Sequence, residues 1–225
     1  MSVMASHGAL IMLPDDSDLV FRFDYSTDSD TPQINNKNWN WTHYGDEKPL
    51  ISGGVGNFSN GGPYTDGSVT FNADNFTVSF DIGSVIGEGS VFSFGDWIDT
   101  SSFNITASGN SISLWDAKSN NMSEAINILT VNIDLTGADL TNIIVVNNQF
   151  GCAIYSGDTL LGSSATSIQN GEINGSFGVG NIFNGGPKMT GTLDNVALYS
   201  TSVPEPASAS LALLGAFGLL LRRRR

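Results

Sequence analysis

The stretch Phe76-Thr77-Val78-Ser79-Phe80-Asp81-Ile82 alternates apolar and polar residues over seven positions. Successive side chains of a β-strand point to opposite faces, so the apolar residues share one face and the polar residues share the other. A strand with this pattern is half-buried, with its apolar face against a core. The stretch therefore predicts one strand of a layered β-structure.

Strand-like patterns recur at even spacing on both sides of this stretch. Residues 19–24 alternate, and residues 142–147 are almost continuously apolar, as in a strand buried on both faces. The pattern returns at residues 39–43, 68–71, 90–95, 103–106, 111–115, 128–135, 151–155, 177–180 and 191–199, with hairpin turns at 108–110 and 157–158. About a dozen strands, with no helix long enough for a crossover, predict an all-β fold. We expect a two-sheet antiparallel jelly-roll sandwich over residues 19–200.

The negative charge of the chain limits the classes of partner that it can bind. The net charge is −13, and residues 1–202 carry 5 basic and 21 acidic groups. Such an acidic body repels phosphate backbones, which argues against nucleic-acid binding. It suits solubility outside the cell and is compatible with a calcium ion.

Few residues are suited to catalysis. Cys152 is the only cysteine, which excludes an intramolecular disulfide, and with only His7 and His43 beside it the chain has no thiolate zinc cluster. The apolar neighbours of Cys152 predict a buried strand cysteine. A serine triad would need a histidine base, and His43, beside Tyr44, fits a turn better. Since no phosphate-binding glycine loop occurs either, we expect a protein without enzymatic activity.

The chain ends in three segments of different chemistry. Val203-Pro204-Glu205-Pro206 is followed by an uncharged apolar run at residues 207–221 and then by Arg222, Arg223, Arg224 and Arg225. As a helix the run would be about 22 Å long, shorter than a hydrocarbon core of about 30 Å. Four adjacent guanidinium groups cannot be buried in a protein core, but they anchor well at the cytoplasmic face of a membrane. The tail therefore predicts a single membrane helix over residues 207–221, with the globular body outside.

This order of segments over residues 203–225 resembles the PEP-CTERM sorting signal of Gram-negative bacteria. The resemblance implies export, transient retention in the inner membrane and processing near residues 203–206 by an exosortase-type protease. Delivery to the cell surface or the exopolysaccharide matrix would follow. The alternative is an ordinary C-terminal membrane anchor, which leaves Pro204-Glu205-Pro206 unexplained.

The N-terminal segment, residues 1–18, fits an exported protein less well. Its one apolar run, Ala9-Leu10-Ile11-Met12-Leu13, is shorter than the usual hydrophobic region of a signal peptide and has no basic residues before it. The segment is therefore interpreted as a degenerate or truncated signal region, unless the true translation start lies elsewhere.

A second resemblance concerns the sandwich. Residues 75–80, 90–96 and 191–199 resemble laminin G and concanavalin A-like domains, and residues 19–24 are similar to the opening strand of that family. The resemblance implies a jelly roll whose first and last strands meet. The sequence departs from the family at Asp81, where a tryptophan commonly follows the strand.

The same resemblance bears on metal binding and catalysis. It implies a structural calcium ion near the joined terminal strands, with Asp24 and Asp194 as candidate ligands, although both could be solvated strand-end carboxylates. Hydrolases of this family resemble one another in a Glu-x-Asp-x-x-Glu strand that sets two carboxylates on one face. No glutamate of this chain stands in that spacing: Glu47, Glu88, Glu124, Glu172 or Glu205. A glycan-cleaving enzyme with an unrecognised site remains the alternative function.

Two features suggest ligand binding. Residues 54–63 and 178–187 match at eight of ten positions, including Asn60 and Asn184 in Asn-Gly-Gly-Pro turns. They represent shared turn chemistry or two equivalent loops forming a binding rim. Trp39, Trp41 and Tyr44 could stack on sugar rings or could belong to the core. With the tail, these features predict an exported, non-catalytic surface or matrix protein that binds carbohydrate or protein through sandwich loops.

Overall fold

The structure is a computed structural model that describes residues 13–25, 31–43, 48–59, 61–66, 69–95, 102–117, 125–137, 140–180 and 188–202. All regular structure in these ranges is β-strand. The strands are β1 (Leu19–Phe23), β2 (Ile34–Asn35), β3 (Trp41–Thr42), β4 (Leu50–Ser52), β5 (Val55–Phe58), β6 (Tyr64–Thr65), β7 (Val69–Asn72), β8 (Phe76–Gly83), β9 (Gly89–Gly95), β10 (Ser102–Ser108), β11 (Ser111–Ala117), β12 (Ile126–Asn132), β13 (Leu140–Asn148), β14 (Gly151–Ser156), β15 (Thr159–Ser164), β16 (Glu172–Val179) and β17 (Gly191–Tyr199).

These strands form two antiparallel sheets. The first sheet has the order β15-β14-β13-β8-β17-β1-β2, and β5 pairs with the part of β17 that β1 does not cover, with β4 beside it. The second sheet has the order β12-β11-β10-β9-β16-β6-β3, and β7 also pairs with β16. The prediction of an all-β, two-sheet antiparallel sandwich is confirmed.

The core lies between the two sheets and is rich in phenylalanine. In β8 the predicted apolar face is buried against it, with Phe76, Val78, Phe80 and Ile82 no more than 2% exposed. Aromatic rings stack there. Phe76 of the first sheet stacks on Phe103 of the second with centroids 4.3 Å apart, and within the second sheet Phe94 stacks on its cross-strand partner Phe177 at 4.1 Å. Burial of these rings stabilises each sheet against the other.

Several pairings agree with the sequence. The first and last strands meet, since β1 pairs with β17 through Phe21↔Leu198 and Phe23↔Val196. The predicted hairpins join β10 to β11 and β14 to β15. Residues 143–147 are buried inside the sheet, and Cys152 is buried in β14 as expected.

Other boundaries were wrong. The strand predicted at 128–135 is β12, which ends at Asn132; Leu135 lies in the following turn, where its N–H donates to Gly109 O (2.9 Å). Its side chain is buried in the core, so this apolar residue extended the strand-like sequence pattern beyond the end of β12. The strand predicted at 39–43 is only β3, because the N–H of Trp39 donates to the side chain of Asn35 (3.0 Å) and not to the backbone of a neighbouring strand.

Further strand residues were not predicted in the glycine-rich parts of the sequence. β16 begins at Glu172, well before the predicted residue 177, because Gly175 interrupts its apolar face. A Cβ at Gly175 would meet the backbone of Gly95, so only glycine allows this approach of β16 to β9. β4 and β5 arise from the glycine-rich stretch around residue 54, where no strand was predicted.

The predicted tail helix over residues 207–221, with the flanking residues 203–206 and 222–225, lies outside the described residues. The described ranges contain no helix with the length and apolarity that crossing a bilayer requires.

Candidate functional site

Four strands of the first sheet bring polar side chains to its outer face, the face turned away from the second sheet. They are Arg22 on β1, Asp81 on β8, Asn142 on β13 and Asn195 on β17. Since side chains alternate along a strand, Arg22 and Asp81 point outward because Phe21 and Phe80 point into the core. The outward direction of Arg22 and Asp81 is therefore a consequence of the core pattern.

A register shift in β13 and another in β17 place the two asparagines beside Asp81. The register of β13 shifts between Leu140 and Ile143, and that of β17 shifts between Asp194 and Ala197. Asn142 and Asn195 stand in these shifts with φ of 59° and 49°, a left-handed conformation that asparagine tolerates better than most residues. Because β13 and β17 are the two neighbours of β8, both shifts flank the same carboxylate.

Hydrogen bonds hold the group together. The Asp81 carboxylate accepts from the N–H of Asn142 (2.6 Å) and from Nδ2 of Asn195 (2.8 Å). The Asp194 carboxylate accepts from the N–H (2.8 Å) and Nδ2 (3.3 Å) of the same Asn195. Asp81 thus connects three adjacent strands, and one amide links the two carboxylates.

Beside Asp81 the outer face holds a cavity of about 260 Å³. Arg22 forms part of its wall, and its Nη2 donates to the hydroxyl of Tyr199 (3.0 Å). The lining residues are Leu13, Arg22, Ser79, Phe80, Asp81, Asn142, Asn195 and Tyr199. The wall therefore combines a guanidinium, a carboxylate, amides and hydroxyls with the apolar side chain of Leu13, so it offers both hydrogen-bond donors and acceptors.

The predicted calcium ligands lie close to this group. Burial raises the pKa of Asp194, and the negative charges of Asp81 and Asp24 raise it further. The two predicted calcium ligands, Asp24 and Asp194, are therefore close enough for their charges to interact. Within the described ranges, no group of three or more His, Cys, Asp or Glu residues is placed to hold a metal ion. Calcium at Asp24 and Asp194 stays a prediction.

The raised pKa of Asp194 predicts a pH-dependent loss of stability. A carboxyl whose pKa is higher in the folded state favours folding below the unfolded value and opposes it as pH rises through the folded value. Asp194→Asn should therefore raise the melting temperature at pH 7 by about 1–3 °C, with little change near pH 3. The effect is small because the group is partly exposed to solvent.

Asp134→Asn is the matched control, since hydrogen bonds from Thr136 lower the pKa of Asp134 and give its charge the opposite effect. Thermal unfolding monitored by circular dichroism at both pH values measures the differences. A gain for Asp194→Asn that is the same at pH 3 and pH 7 would contradict the electrostatic explanation.

The predicted tryptophans lie on the other side of the sheet from the cavity. Trp41 packs on the core rings Phe21 (4.9 Å between centroids) and Phe23 (4.8 Å), and Trp39 stacks on Phe177 (5.3 Å). Both indoles are half-buried, and Nε1 of Trp41 is buried without a hydrogen-bond partner in the described part of the chain. The packing favours a core role, and sugar stacking by Trp39 and Trp41 stays a prediction. Tyr44 lies outside the described residues.

The repeated segments meet as far as they are described. Val179, in the second copy, donates its N–H to the carbonyl of Pro63 in the first copy (3.0 Å). A Cβ added at Gly62 or Gly180 would meet the ring of Phe58. This ring of the first copy therefore packs against Gly62 of its own copy and against Gly180 of the second copy. Asn60 and Asn184 lie outside the described residues, and a binding rim formed by the two loops stays a prediction.

Most of the cavity residues were not predicted. Arg22, Asn142, Asn195 and Tyr199 stand in ordinary strand patterns, and only pairing between distant strands brings them together. Asp81 was noted as a departure from a family pattern, which was the one available signal.

Comparison with known proteins bears first on the tail. A family model described as the PEP-CTERM protein-sorting motif matches residues 202–225. The tail carries a PEP-CTERM sorting motif. The motif indicates export and sorting to the cell envelope or surface, and the match leaves the sandwich uncovered. No curated protein matches the chain significantly.

Solved structures resemble the sandwich. Domain 4 of the arabinanase AbnA from Geobacillus stearothermophilus, in complex with arabinotriose, is 12% identical with a TM-score of 0.51, over 84% of this chain and 95% of that chain. The binding domain of botulinum neurotoxin serotype G is 14% identical with a TM-score of 0.53, over 88% of this chain and 51% of that chain.

A structure of botulinum neurotoxin type C, whose cell entry depends on interaction with two ganglioside molecules, is 14% identical with a TM-score of 0.52, over 87% of this chain and 50% of that chain. The chain thus spans about half the length of the two neurotoxin chains. At these identities the likeness shows a shared β-sandwich fold.

Proposed function

We propose that this chain is an exported, non-catalytic carbohydrate-binding protein of the cell surface or extracellular matrix, and that the cavity beside Asp81 takes a sugar. The proposed sandwich type is the laminin G and concanavalin A-like jelly roll. The observation that carries the binding proposal is the cavity itself, in which Arg22, Asp81, Asn142 and Asn195 converge. Sugar hydroxyls both donate and accept hydrogen bonds, which suits a wall of charged and amide groups.

The fold neighbours support this proposal. One was solved with arabinotriose, and another belongs to a toxin that interacts with gangliosides. Sugars are thus bound by proteins of similar architecture, although their residues differ from those of this chain. The sorting motif would deliver such a protein to a surface where polysaccharide is available.

One observation favours the alternative, a glycan-cleaving enzyme. Asp194, whose pKa is raised by burial, lies beside Asp81, and both carboxyl groups accept hydrogen bonds from the side chain of Asn195. Glycosidases use a pair of neighbouring carboxyl groups. Both carboxylates must flank the scissile bond, however, and only Asp81 lines the cavity. We therefore favour binding without cleavage.

A polysaccharide panel tests the binding proposal. The protein should be retained by at least one polysaccharide, and Arg22→Gln should weaken retention by about 10- to 100-fold, because a hydrogen bond to a charged group contributes about 1.5–3 kcal/mol. Lys37→Gln, which removes an equal charge from an exposed position outside the cavity, should leave retention unchanged. Retention that survives Arg22→Gln would refute binding in this cavity.

The same panel decides between the two functions. Release of reducing ends that disappears in Asp194→Asn would establish the enzyme instead. We expect no release from any polysaccharide that is retained.

The tail has its own test. We propose that residues 207–221 hold the protein in the inner membrane, that Arg222 to Arg225 keep the C-terminus inside, and that an exosortase-type protease cleaves near residues 203–206. Replacing Pro204-Glu205-Pro206 by alanines should leave the protein anchored but unprocessed, whereas replacing the four arginines by serine should let the tail slip. Mass spectrometry of the surface protein should find Arg225 missing. Surface protein that still carries Arg225 would mean that the tail is a membrane anchor that is not cleaved.

A further inference from the structure

Part of the outer face of the first sheet is apolar and deeply buried. Ile144 and Val146 on β13, with Ala153 and Tyr155 on β14, form a cluster whose members are no more than 3% exposed. They alternate with residues that face the core, so they lie on the side away from the second sheet. Side chains this buried on an outer face must be covered by another segment. Among the described residues, the partly buried hydrophobic side chain that packs on them is Leu13.

Leu13 also contacts a second outer cluster, formed by Leu19, Ala197 and Tyr199 on β1 and β17. Since β8 lies between β13 and β17, a side chain that reaches both clusters lies over β8. The same Leu13 is one wall of the cavity beside Asp81.

The residues before Leu13 have the chemistry and the reach to cover the rest. They are Ala9-Leu10-Ile11-Met12, an uninterrupted apolar run. Four extended residues span about 13 Å, whereas β14 lies two strand spacings from β8, about 10 Å. β15 is three spacings away, about 14 Å, beyond the run. Leu160 on β15, which pairs with Tyr155 and shares its face, is 52% exposed, as expected if the cover ends before it.

We propose that the apolar cluster on β13 and β14 is the docking site of the apolar run at residues 9–13, which acts as a structural strap on the outer face of the first sheet. Removal of this run would uncover the cluster on β13 and β14. A second copy of the chain is not needed as the cover, because the cluster is already buried within a single chain. The strap does not depend on what the cavity binds.

Photo-crosslinking in the full-length chain tests the strap directly. With p-benzoylphenylalanine at Ile11, crosslinks should map to residues 140–156 of the same molecule, whereas the same group at Ser2 should not give them. Crosslinks from Ile11 to a second copy, to detergent or lipid, or to other parts of the chain would each overturn the proposal.

A substitution supplies a second measurement. Ile11→Asp would place a charge on the apolar cluster and should lower the melting temperature of the full-length protein by about 4–8 °C. Met4→Asp, a similar change in the same segment outside the run, should lower it by less than about 1 °C. Equal melting temperatures for the two variants would refute the strap.

Discussion

Replacing Gly180 by alanine is expected to lower the free energy of unfolding by about 2–5 kcal/mol. Gly180 has φ of 63°, and its N–H donates to Val91 O (2.8 Å), so the backbone cannot rotate freely to a conformation that suits alanine. The left-handed conformation costs a residue with a Cβ about 1–2 kcal/mol. The new methyl group would also meet the ring of Phe58, which is 2% exposed and cannot move into solvent. Such overpacking costs about 1–3 kcal/mol more.

Gly157→Ala is the matched control for this substitution. Gly157 has a similar φ of 53°, but no atom lies within 4 Å of the position that a Cβ would take. It should therefore show only the backbone part of the loss, about 1–2 kcal/mol. Urea unfolding of both variants measures the difference at unchanged m-value. Equal losses would mean that Phe58 does not press on Gly180, and that the two repeated segments are less tightly packed than the structure indicates.

Asn147→Asp, an isosteric change, is expected to lower the free energy of unfolding by about 3–5 kcal/mol. Asn147 is fully buried, and its Nδ2 donates to the carbonyls of Ala73 (3.2 Å), Asp74 (3.2 Å) and Ile168 (3.0 Å). Its Oδ1 accepts from the N–H of Ile168 (2.9 Å). An aspartate would keep this last bond but would turn a carboxylate oxygen toward the three carbonyl oxygens. The resulting buried charge has no counter-ion among these groups.

The neighbouring residue provides the comparison. Asn148 is only partly buried, and its Oδ1 accepts from the N–H of Phe150 (2.8 Å), a bond that aspartate can also accept. Asn148→Asp should therefore change the free energy of unfolding by less than about 0.5 kcal/mol. If Asn147→Asp unfolds at the same denaturant concentration as Asn148→Asp, the buried amide does not join these segments as described.

The sequence alone determined the fold class, because the signal for a β-strand is local. The alternation in β8 and the apolar run of β13 follow from which side chains must enter the core, and a period of two is visible in any short window. The tail was readable for the same reason: its chemistry lies in consecutive residues, and the family match at residues 202–225 falls on them. Glycine limited the prediction of strands from sequence, because Gly175 and the glycines around β5 interrupt the alternation of apolar side chains.

Only the tertiary structure decided the candidate site. Arg22, Asp81, Asn142 and Asn195 come from four strands that are distant in sequence and adjacent in the sheet, and their outward direction depends on strand register. A shift of one residue would turn each to the core, and the irregularities at Asn142 and Asn195 that aim them at Asp81 have no counterpart in hydrophobic periodicity. The sequence likewise left Trp39 and Trp41 open between surface and core, because an aromatic residue suits both and only its packing against Phe21, Phe23 and Phe177 favours one.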